Sequence, residues 1–372
     1  MDLEKIFLKD ACPTKIGGQA IIEGIMMRGE KRIATAVRLP NRKIHLKTEP
    51  VKPLPKIAKV PILRGVVVFI GALVQGTKTL MYSADILEKY SEDNMIESNS
   101  ENATADSDLS EPGACCDSSS VARKDKSKKK RSFGEKLEAK IGQRAMWNIM
   151  LYSSVAVALL FSIVIFVIGP TWVVNFAGKF IESSIALNLI EGVFRIILFI
   201  LYILAISRME DIHRVFQYHG AEHKTIHCYE NNLELTPANC RTFYTLHPRC
   251  GTSFLMFVMI IALILFSLLG WPGLLFRILS RLLLIPVIAG LSFELLRWAG
   301  QSSSRAVKIL SMPGIMLQKL TTAEPQDEHL EVAITAMNAV LVDDNAPYFE
   351  GIVVENAETI NDSESEEGEG DI

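Results

Sequence analysis

Four stretches of this chain, about residues 145–168, 185–206, 252–269 and 274–296, are long and almost purely apolar. A bilayer core demands roughly 20 such residues per helical crossing, and only a helix satisfies its own backbone polar groups there. The pattern predicts a mainly α protein, a polytopic transmembrane helical bundle of about four spans. Gly169-Pro170 ends the first span, and Trp271-Pro272-Gly273 makes a tight turn between the third and fourth. Bulk composition conceals this, because 49% apolar and 22% charged residues would suit a soluble protein. The two classes are segregated along the chain.

The polar remainder surrounds this bundle. Residues 33–37 and 44–48 are strand-like runs around Pro40-Asn41-Arg42-Lys43, which predicts a small N-terminal β-hairpin. Residues 61–82 carry Arg64, Gln75, Lys78 and three glycines, and their uninterrupted apolar part is short for a span. They read as an amphipathic or re-entrant helix lying against the bundle. Residues 91–120 lack periodic apolar positions, so disorder is expected. The organisation is a polar region over 1–60, the amphipathic or re-entrant helix over 61–90 and a disordered insert over 91–131. A transmembrane core follows over 132–298 with a histidine-rich loop at 207–251, then a helical region over 299–342 and an acidic disordered tail over 343–372. Within 327–341, Leu330, Ile334, Met337 and Leu341 recur at helical spacing, as one buried face requires.

Charge sets the expected orientation. The basic run at 123–131, extended by Lys136, Lys140 and Arg144, places the start of the first span on the cytoplasmic side. An even number of spans brings both ends and the 207–251 loop to that side, and Arg208, Arg214, Lys224, Arg241 and Arg249 agree. Arg277 and Arg281, near the outer end of the fourth span, fit less well. The lipid bilayer is the expected partner, with a cytoplasmic protein as a second. The net charge of −3 arises from cancelling blocks, and no basic–aromatic interleaving suggests nucleic acid. Six cysteines without a C-x-x-C pair argue against a disulfide scaffold. The first residues lack the apolar core of a secretory signal peptide.

Chemistry concentrates in the histidine loop. His219, Glu222 and His223 form H-x-x-E-H, with two imidazoles on one helical face and a carboxylate beside the second. His227 continues the stride and Glu230 follows. His247 and Cys250 add two competent zinc ligands before the third span. A divalent metal, zinc by ligand type, is one reading. A histidine–carboxylate hydrogen-bond network packing the loop is the other, and Gly220 weakens the helix that the metal reading needs. Cys228 and Cys240 could join a structural zinc site, although their spacing matches no strong signature. Glu191 and Arg195 lie four apart within the second span, either as a functional pair or as mutual neutralisation. Glu294 and Arg297 read as interfacial. The glycine-rich stretch Gly17-Gly18-Gln19-Ala20-Ile21-Ile22-Glu23-Gly24-Ile25-Met26-Met27-Arg28-Gly29 is no phosphate loop. It reads as a tight backbone path from which Glu23 and Arg28 could project into a site, or as a packed turn.

GGQAIIEGIMMRG with IATAVRLP, YHGAEHKTIHCYE, LHPRCGTSF and RLLLIPVIAGLSFELLRWAG together resemble the YqhQ family of bacterial membrane proteins. The likeness also takes in LQKLTTAEPQDEHLEVAI and nearly the whole chain outside residues 91–131 and the acidic tail. The family rests on a domain of unknown function, and its members are sometimes labelled metal-dependent enzymes. The resemblance implies the bacterial cell membrane and supplies His219, Glu222, His223, His227, Glu230, His247 and Cys250 as motif positions. It supplies no substrate.

Two functions follow as expectations. The first is a metal-dependent hydrolase with its site at the cytoplasmic face. His219 and His223 hold the ion, His227 or Glu230 completes the shell, Glu222 activates water and Arg249 steadies an oxyanion or phosphate-like group. The alternative is a non-enzymatic membrane scaffold or regulator that recruits a cytoplasmic partner. A transporter ranks below both, since no inverted repeat or broken helix pair is evident.

Overall fold

The computed structural model describes residues 14–105, 153–154, 156–158, 160–270, 272–301, 304–343 and 346–353. The basic run at 123–131, the start of the first apolar stretch and the tail after residue 353 lie outside the described residues. The chain divides into two compact units, Met1–Met95 with Ser184–Ile372, and Ile96–Ser183.

In the first unit a five-stranded antiparallel meander holds β1 (Gly17–Ile21), β2 (Gly24–Arg28), β3 (Arg32–Arg38), β4 (Ile44–Pro50) and β5 (Glu350–Val353), in that spatial order. The expected hairpin is β3–β4, registered through Ala36 opposite Leu46. Two parts of the sheet depart from expectation. The glycine-rich stretch is a strand pair turning at Glu23, whose φ is 50°. Its alternation is hidden because β2 is buried on both faces, from Gly24 to Met27. The stretch expected to be a disordered tail supplies β5, which adds to the edge of β4 with Glu350–Val353 opposite Lys47–Ile44. An unpaired edge offers a ladder that even four residues can complete.

One face of the sheet is covered by α4 (Glu210–Glu230) and α9 (Asp327–Leu341), with the short α5 (Pro237–Arg241) beside them. Ile25, Met27, Ala34, Ala36 and Leu46 meet Tyr218, Ala221, Leu330 and Ala333 in a single core. The α9 helix has the expected bounds, but its buried face runs through Leu330, Ala333 and Met337 while Leu341 is exposed. Over the other face lies α1 (Leu63–Ala105). Gly76 sits against the Gln19 side chain, Tyr82 hydrogen-bonds His45 and Glu350, and the Lys47 ammonium caps the Tyr82 ring. Nearer its start, Gly65 meets Gly290, and Arg64 grips Glu294 bidentately at 2.7 Å. Glu294, expected to be interfacial, is therefore half of an interhelical ion pair.

The α1 helix bears on two expectations. By length and composition alone its stretch Leu63–Ser91 could cross a membrane, while Gly76 and Tyr82 within it lie against the sheet. Its backbone stays helical to Ala105, through polar residues expected to be disordered. Extending an existing helix costs far less than nucleating one, and neither glycine nor proline intervenes between Gly76 and Pro112.

The helices α3 (Ser184–Ile206), α7 (Leu274–Gln301) and α8 (Arg305–Thr321) surround α6 (Thr252–Leu268). Among the described residues, four helices can cross a membrane by length and composition: Leu63–Ser91, α2 (Ala156–Phe176, in the second unit), α3, and Leu275–Ala299 of α7. The α6 helix, expected to be a span, has 17 residues and stands at the short limit. Large apolar side chains such as Leu201, Leu275, Phe276 and Leu283 face outward on α3 and α7, as membrane association requires. Arg281 reaches from α7 to Glu191 of α3 at 2.7 Å, joining Arg195. The Glu191–Arg195 pair is thus part of an interhelical cluster, which accounts for the burial of Arg281.

Candidate metal centre

The candidate centre grows from α4, which breaks from α3 at residues 207–209 and carries Glu210 and Asp211 in its first turn, where the helix dipole favours acids. Gly220, expected to weaken this helix, sits inside it without breaking it. A Cβ at Gly220 would lie 2.1 Å from the carbonyl oxygen of Ala323. The helix accepts the roughly 1 kcal/mol propensity cost of glycine because only glycine admits the chain joining α8 to α9 at this point. That approach places the last turn of α8 over the first imidazole.

The residues of the sequence motifs fall into two neighbouring groups, with Glu222 at the border of the first. His219, His223 and Cys250 form the first, and His227, Glu230 and His247 the second; within each, one ligand atom per residue lies within 4.8 Å of the others. His227 and Glu230, expected to complete a shell with His219 and His223, fall in the other group, and Cys250 lies beside those two histidines instead. Four-residue spacing keeps His219, His223 and His227 on one face. The chain returning from α5 to α6 then brings Cys250 beside the first two and His247 beside the third.

In the first group, His219 Nδ1 lies 2.8 Å from the Thr321 carbonyl oxygen and His223 Nδ1 lies 2.5 Å from that of Thr245. A carbonyl only accepts, so both Nδ1 atoms carry a proton and both Nε2 atoms point inward. His219 Nε2 is 3.1 Å from Cys250 Sγ. His223 Nε2 is buried with no hydrogen-bond partner. Burial alone would lower the His219 pKa, yet the adjacent Cys250 sulfur raises it to about 9. Burial would raise the Cys250 thiol, but His223 and His219 bring it well below its ordinary value. A thiolate is thus favoured where a soft cation would sit.

Glu222 borders this group. Its Oε1 accepts the Gly18 backbone N–H at 2.9 Å. A Cβ on Gly18 would fall 2.9 Å from the Glu222 carboxyl carbon, so the glycine permits the contact. Burial raises the Glu222 pKa, against the pull of His223 and His219. The glycine-rich strands therefore contribute to the site through backbone, a role that side-chain motifs do not reveal. Glu23, expected to project into a site, instead binds Arg214 of α4 at 2.5 and 2.6 Å and pins the β1–β2 turn.

In the second group the carboxylate is already occupied, while the buried His247 Nε2, like that of His223, makes no hydrogen bond among the described residues. Glu230 accepts from the Thr14 backbone N–H at 2.9 Å, from the Thr14 hydroxyl at 3.0 Å and from the Arg249 guanidinium, with His247 Nε2 at 3.5 Å. Burial works against this carboxylate, but His247, Thr14 and Arg249 hold its pKa down to about 2. His227 Nε2 donates to the Leu246 carbonyl at 3.0 Å. Burial lowers His227 to about 4 and His247 to about 3. Gln318 of α8 clamps the His247 backbone from both sides, accepting at 2.8 Å and donating at 2.9 Å. The Gln318 clamp carries no sequence signal of its own. Cys228 and Cys240 lie in the hydrophobic core and belong to neither group, and burial raises both thiols.

Residues 60–343 match the family described as "Protein of unknown function (DUF1385)". The chain is 35% identical over 341 residues to "Uncharacterized protein YqhQ" of Bacillus subtilis (strain 168), covering 90% of this chain and 94% of that protein. No solved structure matches.

Proposed function

This chain belongs to the family described as protein of unknown function (DUF1385), and from that premise we propose that it is a metal-dependent hydrolase of the bacterial cell membrane. Its site would lie at the cytoplasmic face, with both chain ends on the same side. One observation carries the reading. Two buried imidazoles on one helix face are oriented by backbone carbonyls, with their Nε2 atoms turned toward a thiol sulfur. Metal-ligating histidines are held in this way through their other ring nitrogen. A His₂Cys set leaves one position open, as catalytic zinc sites do, and the unpartnered Nε2 of His223 is a buried lone pair without other use.

A divalent ion, zinc by donor type, supplies Lewis acidity when held by His219, His223 and Cys250. Glu222 accepts the proton of the attacking water and returns it to the leaving group. Its raised pKa brings it closer to the range where a carboxylate can do both. Gly18 fixes the carboxylate through its backbone N–H. Glu230 acts as a positioning residue, holding Arg249 where its guanidinium lines the cleft beside Cys250, so that Arg249 can steady an anionic oxygen.

Elemental analysis of detergent-purified protein tests the reading. About one equivalent of zinc or another divalent metal is expected, and a His219→Ala/His223→Ala variant should hold none. Metal-free wild type after reloading would overturn it and favour the scaffold.

A further inference from the structure

A cleft of about 470 Å³ adjoins the candidate centre, within the size range of small-ligand sites. Glu222, His223 and Cys250 lie along it, and so do three cations: Lys15, Arg28 and Arg249. Lys15 is paired with the exposed Glu30, and Arg249 with the buried Glu230. Arg28 is half-buried, and its side chain makes no hydrogen bond or ion pair among the described residues. The cleft thus offers a guanidinium that nothing in the described chain neutralises, flanked by two further basic groups.

The opposite wall is apolar. Val68 and Ala72 come from α1 and Phe293 from α7. The same turns of α1 expose Ile70, Leu73 and Val74 at 54%, 55% and 51% on the outer side. That surface suits lipid and not water. The α1 helix is therefore a wall one helix thick, with the cationic cleft on one side and an apolar surface on the other. A soluble anion would satisfy the arginines and leave the α1–α7 wall bare. An uncharged lipid would do the reverse.

We propose that this cleft binds an anionic lipid, its phosphate head against Arg28, Lys15 and Arg249 and its alkyl chain along Val68, Ala72 and Phe293. The inference rests on the hydrolase reading, for which it names the substrate class. The scissile bond of such a lipid would lie at the head, beside Glu222 and the His219–His223–Cys250 donors.

Calorimetric titration of full-length protein in an uncharged detergent tests it, using Glu222→Gln to prevent turnover. The probes are dihexanoyl phosphatidic acid, dihexanoyl phosphatidylcholine and inorganic phosphate, each with and without added zinc. Phosphatidic acid should bind about tenfold or more tightly than either of the others, since it alone supplies both charge and burial. Arg28→Gln should weaken it about tenfold, Arg28→Lys should restore part of the loss, and Ala72→Trp should weaken it by obstructing the chain. Phosphatidylcholine binding as well as phosphatidic acid, or phosphate binding as well as the lipid, would overturn the proposal. So would an Arg28→Gln variant that melts like its parent and binds unchanged. Metal content, measured on the same samples, separates this failure from failure of the hydrolase reading.

Discussion

Two trios of similar side chains share one helix face, and their surroundings give them opposite characters. His219, His223 and Cys250 keep their Nε2 and Sγ atoms turned toward one another, with the imidazoles tied back through Nδ1. His227, Glu230 and His247 have as rich a donor set, yet Thr14 and Arg249 already occupy the Glu230 carboxylate. Residue type therefore does not decide which cluster is free to serve as a ligand shell. The count of competing donors does, because a carboxylate that already accepts several hydrogen bonds has little to offer a cation.

The largest effect should come from breaking the first trio alone. Cys250→Ala should reduce bound zinc from about one equivalent to almost none by elemental analysis, while Glu230→Gln should leave it intact. Equal metal loss in both would dissolve the distinction and imply one shared shell. Next, Glu222→Gln should retain metal and lower turnover about 10²–10⁴-fold on any substrate found, the range for a lost general base. Metal loss in that variant would make Glu222 a ligand.

A smaller effect should mark the second trio as structural. Glu230→Ala strands the Arg249 charge and the Thr14 donors and should cost about 3 kcal/mol in thermal or denaturant unfolding. That is the low end for a broken buried pair, since Arg249 is partly open to solvent. An unchanged melting temperature with lost activity would reverse the assignment.

The smallest effect is a difference of sign in metal-free protein. His227 and His247 are depressed to about 4 and about 3 from 6.5, so below about pH 6.5 the unfolded chain binds protons that the folded chain refuses. Their contribution is complete above about pH 6.5 and falls as pH drops toward 3. His219, raised to about 9, contributes fully below about pH 6.5 and loses that contribution as pH rises through 9. Between pH 6 and pH 4 only the second trio changes among these histidines, and melting should fall by on the order of 5 °C. A flat or rising profile would mean that the second trio is charged in the fold.

The histidine face was legible before the fold, because i, i+4 spacing alone places His219, His223 and His227 together. Cys250 was legible as a candidate ligand but not as their neighbour, since it follows His223 by 27 positions in sequence and only the return of the chain to α6 closes that gap. Gly18 was legible as a glycine needing a close approach but not as a donor to Glu222, because backbone N–H groups leave no trace in residue type. The α1 helix shows a similar limit. Its apolar run predicted a helix lying against the bundle, whereas its seat over the sheet is made by contacts with Gln19, His45 and Glu350.

Periodicities of two to four residues were enough to specify the apolar helices, the β3–β4 hairpin, α9 and the stride of imidazoles along α4. Only the tertiary structure decided that Cys250 joins His219 and His223, that Glu230 is saturated by Thr14 and Arg249, and that a 43-residue α1 begins beside the site. Local periodicity is written into neighbouring residues, whereas these choices depend on which distant donors arrive first at each lone pair.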